Sequence, residues 1–298
     1  MSIAFTFLIT GWWTSNHRLG LASVKTRYLN SVESPRVILV GGSSLHYGVD
    51  SEWLESELGV PVINMGLQGS IGMNYMLESV ASHLREGDVV VFLGEPALYA
   101  TIPLQGQDKL AELISKNPSH MAYLKTSQWG QVVKSVPSAI NENLKYLVVY
   151  GLLKSRGKKT IREATSKRGD YVGHQGRKSI LKPRASGELS APVVNEHSFS
   201  YLQQCESRFK KKGARLVVGF APIAKSYAHS EMMELITESI PARLQMGKWQ
   251  DGVYSDHAFF DTKHHLTYDS RRQNTARLAK GIAEKLNWNG LKNATPQR

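Results

Sequence analysis

The feature that most constrains the fold is a repeated order along the chain, in which a short apolar run is followed by a stretch with helical spacing. Four such runs are rich in Val, Ile and Leu, at residues 35–40, 60–66, 88–94 and 214–222. Short, almost continuously apolar runs are typical of strands that are buried on both faces. Strands that alternate with helices predict an α/β protein with a parallel sheet covered by helices on both faces.

The length of the chain and the order of its predicted elements indicate one main domain. A chain of 298 residues with 41% hydrophobic residues can bury a sizeable core. We predict that residues 35–290 form a single domain, and that 1–34 are an apolar N-terminal segment and linker. The run "IAFTFLITGWW" in that segment is too short to span a bilayer. It is either the remnant of a membrane anchor or a strand or helix packed on the domain.

Positive charge is concentrated in one part of the chain. The net charge is +12, and the stretch from Lys154 to Arg184 holds eleven Lys or Arg but only Glu163 and Asp170 as acids. We interpret residues 154–190 as a basic insertion that forms a solvated loop. As a binding surface it would attract an acidic polysaccharide or an anionic membrane surface. Nucleic acid is disfavoured as a partner, because Tyr171 alone lies within the stretch to stack on bases.

Two serines that could act as nucleophiles follow the first strand. The turn "GGSS" at 41–44 comes directly after it, and ligands of open parallel sheets bind at the carboxyl ends of the strands. A serine on such a turn is well presented as a nucleophile if a base, itself oriented by a third group, lies within reach. Candidates for these partners precede the last helical stretch: Asp256, His257, Asp261, His264 and His265. Glycine and serine are also ordinary turn residues, so a purely structural role remains the alternative.

Other chemistries have weaker support. Three histidines and two aspartates within ten residues have the side chains that bind zinc. We rank a metal site below a triad, because adjacent residues such as His264 and His265 point to opposite sides of an extended loop. The chain has no P-loop and no Gly-x-Gly-x-x-Gly turn, and its single cysteine, Cys205, excludes a multi-cysteine metal site. We therefore expect neither a metal nor a cofactor.

Three short blocks carry a resemblance to a known family. The blocks "GGSS" at 41–44, "NMGLQGSIG" at 64–72 and "DTKHHLT" at 261–267 resemble the SGNH, or GDSL-type, hydrolase superfamily. They are most similar to its envelope branch, whose members acylate or deacylate polysaccharides. The resemblance implies a flavodoxin-like three-layer sandwich around a central parallel sheet. It also implies a periplasmic or membrane-associated location in the cell envelope, with the cytoplasm as the alternative.

The resemblance also implies a catalytic triad. Ser43 falls on the nucleophile and Asp261 on the acid. The base is open between two residues: the spacing Asp-x-x-His selects His264, whereas the block "HLT" selects His265. We favour His265.

The resemblance further implies an oxyanion hole, made by the backbone N–H groups of Ser43 and Gly69. A glycine at position 69 is equally explained by a tight turn. The family's usual Gly-x-Asn-Asp block is replaced by "GEPA" at 94–97, so its oxyanion asparagine is missing. We take Ser44, Asn64 and Glu95 as candidates for substrate binding.

These features predict acyl-ester chemistry on a cell-surface carbohydrate, either deacetylation or O-acetyl transfer, through a Ser-His-Asp triad. The alternative is a catalytically inactive SGNH-like protein that binds polysaccharide or is the scaffold of an envelope biosynthesis complex. The missing asparagine and the basic stretch favour this alternative.

Overall fold

The computed structural model describes residues 2–183 and 193–287. Its central sheet has four strands in the order β2-β1-β3-β4, and every neighbouring pair is parallel. The strands are β1 (Val37–Gly41), β2 (Val62–Asn64), β3 (Val89–Gly94) and β4 (Arg215–Phe220). All four carboxyl ends therefore lie at one edge of the sheet, and the predicted α/β class with a central parallel sheet is confirmed.

Eleven α-helices surround this sheet within the described ranges. In chain order they are α1 (Ile3–Trp13), α2 (Leu21–Ser31), α3 (Ser43–Gly48), α4 (Ser51–Leu58), α5 (Met73–Ala81), α6 (Lys109–Lys116), α7 (Thr126–Lys134), α8 (Val136–Ser155), α9 (Glu196–Lys210), α10 (Ser230–Ser239) and α11 (Arg271–Leu286). Two short parallel strands, β5 (Ile223–Ala224) and β6 (Val253–Tyr254), form a separate pair.

Side chains of the sheet alternate between two hydrophobic cores. On β1, Ile38 and Val40 belong to a first core with residues of α2, α5, α6 and α9, whereas Val37 and Leu39 belong to a second core with residues of α4 and α11. Successive residues of a strand point to opposite faces. The sheet is thus buried on both sides, an arrangement compatible with a three-layer sandwich.

Helix boundaries follow local signals where those signals are strong. The Asp50 side chain accepts a hydrogen bond from the Trp53 N–H at 3.2 Å at the start of α4, and Gly59 ends the helix with φ of 67°. The sequence predicts this helix, with Asp50 or Ser51 as its N-cap and Gly59 as its C-cap, and the structure places the cap at Asp50. The sequence predicts only a turn at residues 41–44, whereas in the structure helix α3 begins at Ser43.

Residues 2–34 are part of the domain rather than a linker. Phe7 in α1, Leu19, and Leu29 in α2 are all buried in the first core. Of the two interpretations of the N-terminal apolar run, the structure shows a helix packed on the domain. None of the helices in the described ranges is both long enough and apolar enough to cross a membrane.

The basic stretch is folded over much of its length. Thr160, Asp170 and His174 are buried. The Asn64 N–H donates to the Arg168 carbonyl at 2.9 Å, and the Tyr171 N–H donates to the His46 carbonyl at 2.7 Å. The expectation of a solvated loop is therefore wrong for this part of the chain, because its charged residues alternate with residues that pack against α3 and β2. Residues 184–190 of the predicted insertion, including Arg184, lie outside the described residues.

Candidate active site

Ser43 lies at the edge where the strands end. It is the first residue of α3, two residues after β1, and it is partly exposed. Ser44 is fully buried, and its hydroxyl makes no hydrogen bond within the described ranges. Of the two serines, Ser43 is the one that a substrate can reach.

Asp261 is paired with His265. The His265 Nδ1 lies 2.7 Å from the Asp261 Oδ1. In this arrangement the Nδ1–H group donates a hydrogen bond to the carboxylate, and Nε2 is left as a hydrogen-bond acceptor. Burial acts to raise the pKa of Asp261, but the hydrogen bond and charge of His265 outweigh burial, and the net shift is downward. Asp261 is thus held as an anion that orients the His265 ring.

Tyr47 positions the His265 ring beside α3. The two rings are stacked with centroids 4.0 Å apart and an interplanar angle of 2°. Tyr47 is four residues after Ser43 in α3, and residues at this spacing share one face of a helix. Within the described part of the chain no hydrogen bond joins the Ser43 hydroxyl to either histidine. Hydrogen bonds between catalytic groups are often long before substrate binds.

His264 has a different environment. Its Nδ1 lies 2.9 Å from the Pro222 carbonyl oxygen, just after β4. Burial lowers the pKa of His264, and the nearby carboxylate of Glu95 partly opposes that effect. The Asp-x-x-His spacing therefore does not reflect a pair in the structure, because the imidazole bonded to Asp261 belongs to the next residue.

The other acids and histidines of this loop do not converge on one point. Asp256 accepts a hydrogen bond from the Ser226 N–H at 3.0 Å, while His264 and His265 bond to Pro222 and Asp261. No group of three or more His, Cys, Asp or Glu side chains in residues 2–183 and 193–287 is arranged to hold a metal ion.

The Glu95 side chain lies between the loop that follows β1 and the loop that follows β2, at the carboxyl edge of the sheet. Its Oε1 accepts a hydrogen bond from the Ser44 N–H at 3.0 Å. A Cβ at Gly42 would lie 2.5 Å from Oε1, and one at Gly69 would lie 2.9 Å from Oε2. The Glu95 carboxylate therefore packs against the α-carbons of Gly42 and Gly69, and a larger side chain at either position would have to displace it.

The two backbone N–H groups predicted to form an oxyanion hole are available. Neither Ser43 N nor Gly69 N donates to an acceptor in the described part of the protein. The carboxylate of Glu95, which is 8% exposed, lies next to Gly69 and close to the turn that presents Ser43. The site therefore holds two free donors and an adjacent negative group.

Asn64 is a structural residue. Its side chain is fully buried, donates to the Leu45 carbonyl and to Asp170 at 2.8 Å each, and accepts from the Gly66 N–H at 2.9 Å. A buried amide whose groups are all bonded has none left for a substrate. Asn64 instead fixes the loop that leads to Gly69.

The chain matches none of the known protein-family models. No curated protein shows significant similarity to it. The functional assignment therefore depends on the geometry of this site and on the three short sequence blocks.

Sequence reasoning missed Arg18, which reaches the site from the N-terminal segment. Its Nη2 donates to the Gln68 Oε1 at 2.8 Å, and its positive charge acts to lower the pKa of Tyr47, which burial raises. Its positive charge acts to lower the pKa of Asp261. Arg18 has no motif around it, so no local signal could have shown this role.

Sequence reasoning also missed the aromatic side chains of the basic stretch. The Tyr171 and His174 rings are stacked with centroids 5.4 Å apart, and both contact Tyr47. The His265 ring in turn stacks on the ring of Tyr47. The folded part of the basic stretch thus supports the ring that positions the histidine.

Two buried side chains of opposite charge, Asp170 and Lys25, attach this stretch to the domain through hydrogen bonds. Asp170 accepts from the Ser51 N–H at 2.9 Å and from the Ser51 hydroxyl at 2.6 Å. The Lys25 ammonium donates to the Gly169 carbonyl at 2.9 Å. Burial lowers the pKa of Lys25 to about 7 and raises that of Asp170, although the two charges attract each other.

A small apolar cavity lies beside the site. It has a volume of about 170 Å³, and its lining includes Pro96, Ile223, Met233 and Lys263. Pro96 directly follows Glu95, and Lys263 directly precedes His264. A larger cleft of about 430 Å³ lies elsewhere, between α5 and α9. In that cleft Glu78 already forms ion pairs with Arg208 and Lys125.

Proposed function

We propose that this protein is an SGNH-type serine esterase or O-acyltransferase that removes or transfers an acyl group, such as acetyl, on a cell-surface carbohydrate. The observation that carries the proposal is the pairing of Asp261 with His265 at 2.7 Å, with His265 stacked on Tyr47 one helical turn from Ser43. A reachable serine, an acceptor nitrogen and an orienting carboxylate are the three parts that nucleophilic acyl chemistry requires.

The reaction follows from these groups. His265 Nε2 takes the proton of the Ser43 hydroxyl while Oγ attacks the acyl carbonyl, and the imidazolium then gives that proton to the departing alcohol. Water or a sugar hydroxyl then attacks the carbonyl of the acyl-enzyme while His265 accepts its proton, and the imidazolium returns that proton to Ser43 Oγ as the acyl–Oγ bond breaks. The N–H groups of Ser43 and Gly69 stabilise the negative oxygen of each tetrahedral intermediate.

The topology supports the proposed SGNH-type, flavodoxin-like fold. In the strand order β2-β1-β3-β4 the chain places β2 on one side of β1 and β3 on the other. The direction in which strands are added therefore reverses between β1 and β3, beside Ser43. An isolated parallel bridge between Val218 and Gln245 lies on the outer side of β4, where the fifth strand of a flavodoxin-like sheet would be. Ligands bind at such reversal points.

The surroundings of the site support the proposed substrate class. The apolar cavity of about 170 Å³ next to Glu95 and His264 offers space for a small acyl chain. Arg177, Lys178 and Lys182 are exposed close to Tyr171 in the chain, and they would attract an acidic polysaccharide. Such substrates lie in the cell envelope, where we place the protein.

The test is hydrolysis of p-nitrophenyl acetate, a reactive ester that needs little recognition. Ser43→Ala and His265→Ala are expected to lower kcat by about a thousandfold or more, because each removes a group of one catalytic unit. Ser44→Ala and His264→Ala are the matched controls, since each changes the neighbouring residue of the same type. We expect these controls to keep kcat within about tenfold of wild type.

Two further variants test the positioning of His265. Tyr47→Phe keeps the ring that stacks on His265, whereas Tyr47→Leu removes it. We expect the Leu variant to lose kcat with little change in KM, and the Phe variant to retain most of it. Equal activity of the two variants would contradict the role of the stacked ring.

A second function is favoured by two observations. The Ser43 hydroxyl is not bonded to His265, and the Glu95 carboxylate packs against the α-carbon of Gly69. Both fit a protein that keeps the fold and binds polysaccharide without turnover. Absence of serine-dependent hydrolysis in folded wild-type protein, together with binding of acidic polysaccharide that Lys178→Glu weakens, would replace the enzymatic proposal with this one.

A further inference from the structure

Arg18 is a cation of the site that no carboxylate of the described residues neutralises. It begins a short helical turn, Arg18–Gly20, between α1 and α2, and its side chain is partly exposed. Its guanidinium forms no ion pair within residues 2–183 and 193–287, and the buried Nε–H has no acceptor there. Because an arginine side chain has five N–H donors and stays charged at any working pH, Arg18 keeps donors for a ligand.

The turn holds the Arg18 side chain in a defined place. Leu19 is fully buried, and its carbonyl accepts a hydrogen bond from the Asn117 side chain at 2.8 Å. The Arg18 Nη2 donates to the Gln68 Oε1 at 2.8 Å, and Gln68 directly precedes Gly69. The guanidinium therefore lies next to the loop that carries one of the two proposed oxyanion donors.

The other neighbours of Arg18 belong to the side of the site that holds the proposed base. Its charge acts to lower the pKa of Tyr47, of Tyr171 and of Asp261. The Tyr47 ring stacks on His265, and Asp261 is bonded to the same histidine. Since Asp261 is engaged with His265 and forms no ion pair with Arg18, the positive charge of Arg18 remains available at the site.

The apolar cavity and Arg18 are associated with different histidines. His264 bonds to the carbonyl of the residue before Ile223, and Ile223 lines the cavity of about 170 Å³. His265 stacks on Tyr47, where the charge of Arg18 acts. If the acyl chain of the substrate occupies the apolar cavity, its saccharide part extends toward Arg18.

We propose that Arg18 binds an anionic group on the saccharide part of the substrate, a carboxylate or a phosphate, and so selects an acidic polysaccharide. A guanidinium binds both of these groups through paired N–H donors. Arg177 is exposed close to Tyr171 and has no ion pair in the described part of the chain, so it continues the positive surface outward. This inference rests on the proposed function, since it names the substrate class of the site around Ser43.

The test is isothermal titration calorimetry of the full chain with three trisaccharides of the same linkage, built from galactose, galacturonic acid and phosphorylated galactose. We expect wild type to bind an acidic trisaccharide about tenfold or more tightly than the neutral one, and less so at high salt. Arg18→Gln should lose most of this preference, whereas Arg18→Lys, which keeps the charge, should retain part of it. The acidic trisaccharide that binds more tightly identifies the anionic group.

Arg168→Gln is the matched control, because it removes the same charge from an arginine that is already paired with Glu55. It should bind as wild type, and circular dichroism checks that each variant folds. The proposal would be overturned by absence of binding, by equal binding of the three trisaccharides, or by equal losses in Arg18→Gln and Arg168→Gln.

Hydrolysis of p-nitrophenyl acetate by wild type tests the reaction separately. Absence of hydrolysis together with binding that depends on Arg18 would reject the proposed reaction and keep the assignment of Arg18. Hydrolysis that depends on Ser43, without a preference for the acidic trisaccharides, would do the reverse.

Discussion

Glu95 is the residue at which the electrostatics of the site oppose the proposed reaction. Its carboxylate lies next to Gly69, one of the two groups that would stabilise the oxyanion. A negative charge there raises the free energy of a second negative charge on the acyl oxygen. The same carboxylate also accepts a hydrogen bond from the Ser44 N–H, so Glu95 matters to the site as a hydrogen-bond acceptor as well as a charge.

We therefore expect Glu95→Gln to raise kcat for p-nitrophenyl acetate about tenfold, because the amide keeps an acceptor for Ser44 N and removes the charge. Steady-state kinetics at constant pH measures this effect. Glu95→Ala is the comparison, since it removes the acceptor too and should not reproduce the gain. A loss of kcat in the Gln variant would contradict the argument and would show that the reaction uses the negative charge beside His264.

At the scale of elements, the stretch 160–174 depends on two buried side chains of opposite charge that are not in direct contact, Asp170 and Lys25. Asp170 and Lys25 are 3% exposed each, and burial shifts the pKa of each toward its neutral form. The hydrogen bonds from Ser51 and Asn64 to Asp170, and to a smaller extent the attraction between the two charges, offset part of the cost of burying Asp170. Neutralising Asp170 weakens these hydrogen bonds and removes the opposite charge nearest to the buried Lys25 ammonium.

We expect Asp170→Asn to lower the free energy of unfolding by about 2–3 kcal/mol, measured by urea denaturation, because the buried donors of Ser51 and Asn64 lose their charged acceptor. The double variant Lys25→Met/Asp170→Asn should recover part of this loss, because neither charge then remains. Arg168→Gln is the control: it breaks an ion pair with Glu55 on the surface of the same stretch and should cost about 1 kcal/mol or less. A loss for Asp170→Asn no larger than for Arg168→Gln would contradict the role of the buried pair.

At the scale of the whole molecule, buried histidines set the response to acid. Burial lowers the pKa of His17, His120 and His174 to about 4, from an ordinary value of 6.5. Between these values the unfolded chain binds protons that the folded protein does not. Their contribution to stability is therefore complete above pH 6.5 and is lost as the pH falls toward 4.

We expect the melting temperature to fall steadily between pH 6.5 and 4.5, with a total loss of stability on the order of a few kcal/mol. Scanning calorimetry from pH 8 to 4.5 measures this. His174→Phe should flatten the pH dependence, whereas His197→Gln, at an exposed position, should leave it unchanged. A constant melting temperature between pH 6.5 and 4.5 would contradict the prediction.

The sequence alone determined the four strands of the sheet, the ends of α4 and one edge of the sheet. The apolar strands, the cap of α4 at Asp50 and its end at Gly59 are local patterns, and local hydrogen bonding and periodicity suffice to predict them. Because all strands are parallel, the position of Ser43 just after β1 already placed it at the carboxyl edge.

Only the tertiary structure decided which groups meet at that edge. The pairing of Asp261 with His265 rather than His264 depends on how the loop packs on Tyr47. The approach of Arg18 to Tyr47, and the burial of Asp170 beside Ser51, join residues far apart in the chain. Such contacts have no local signature, since the free energy that selects them comes from packing and burial in the folded protein.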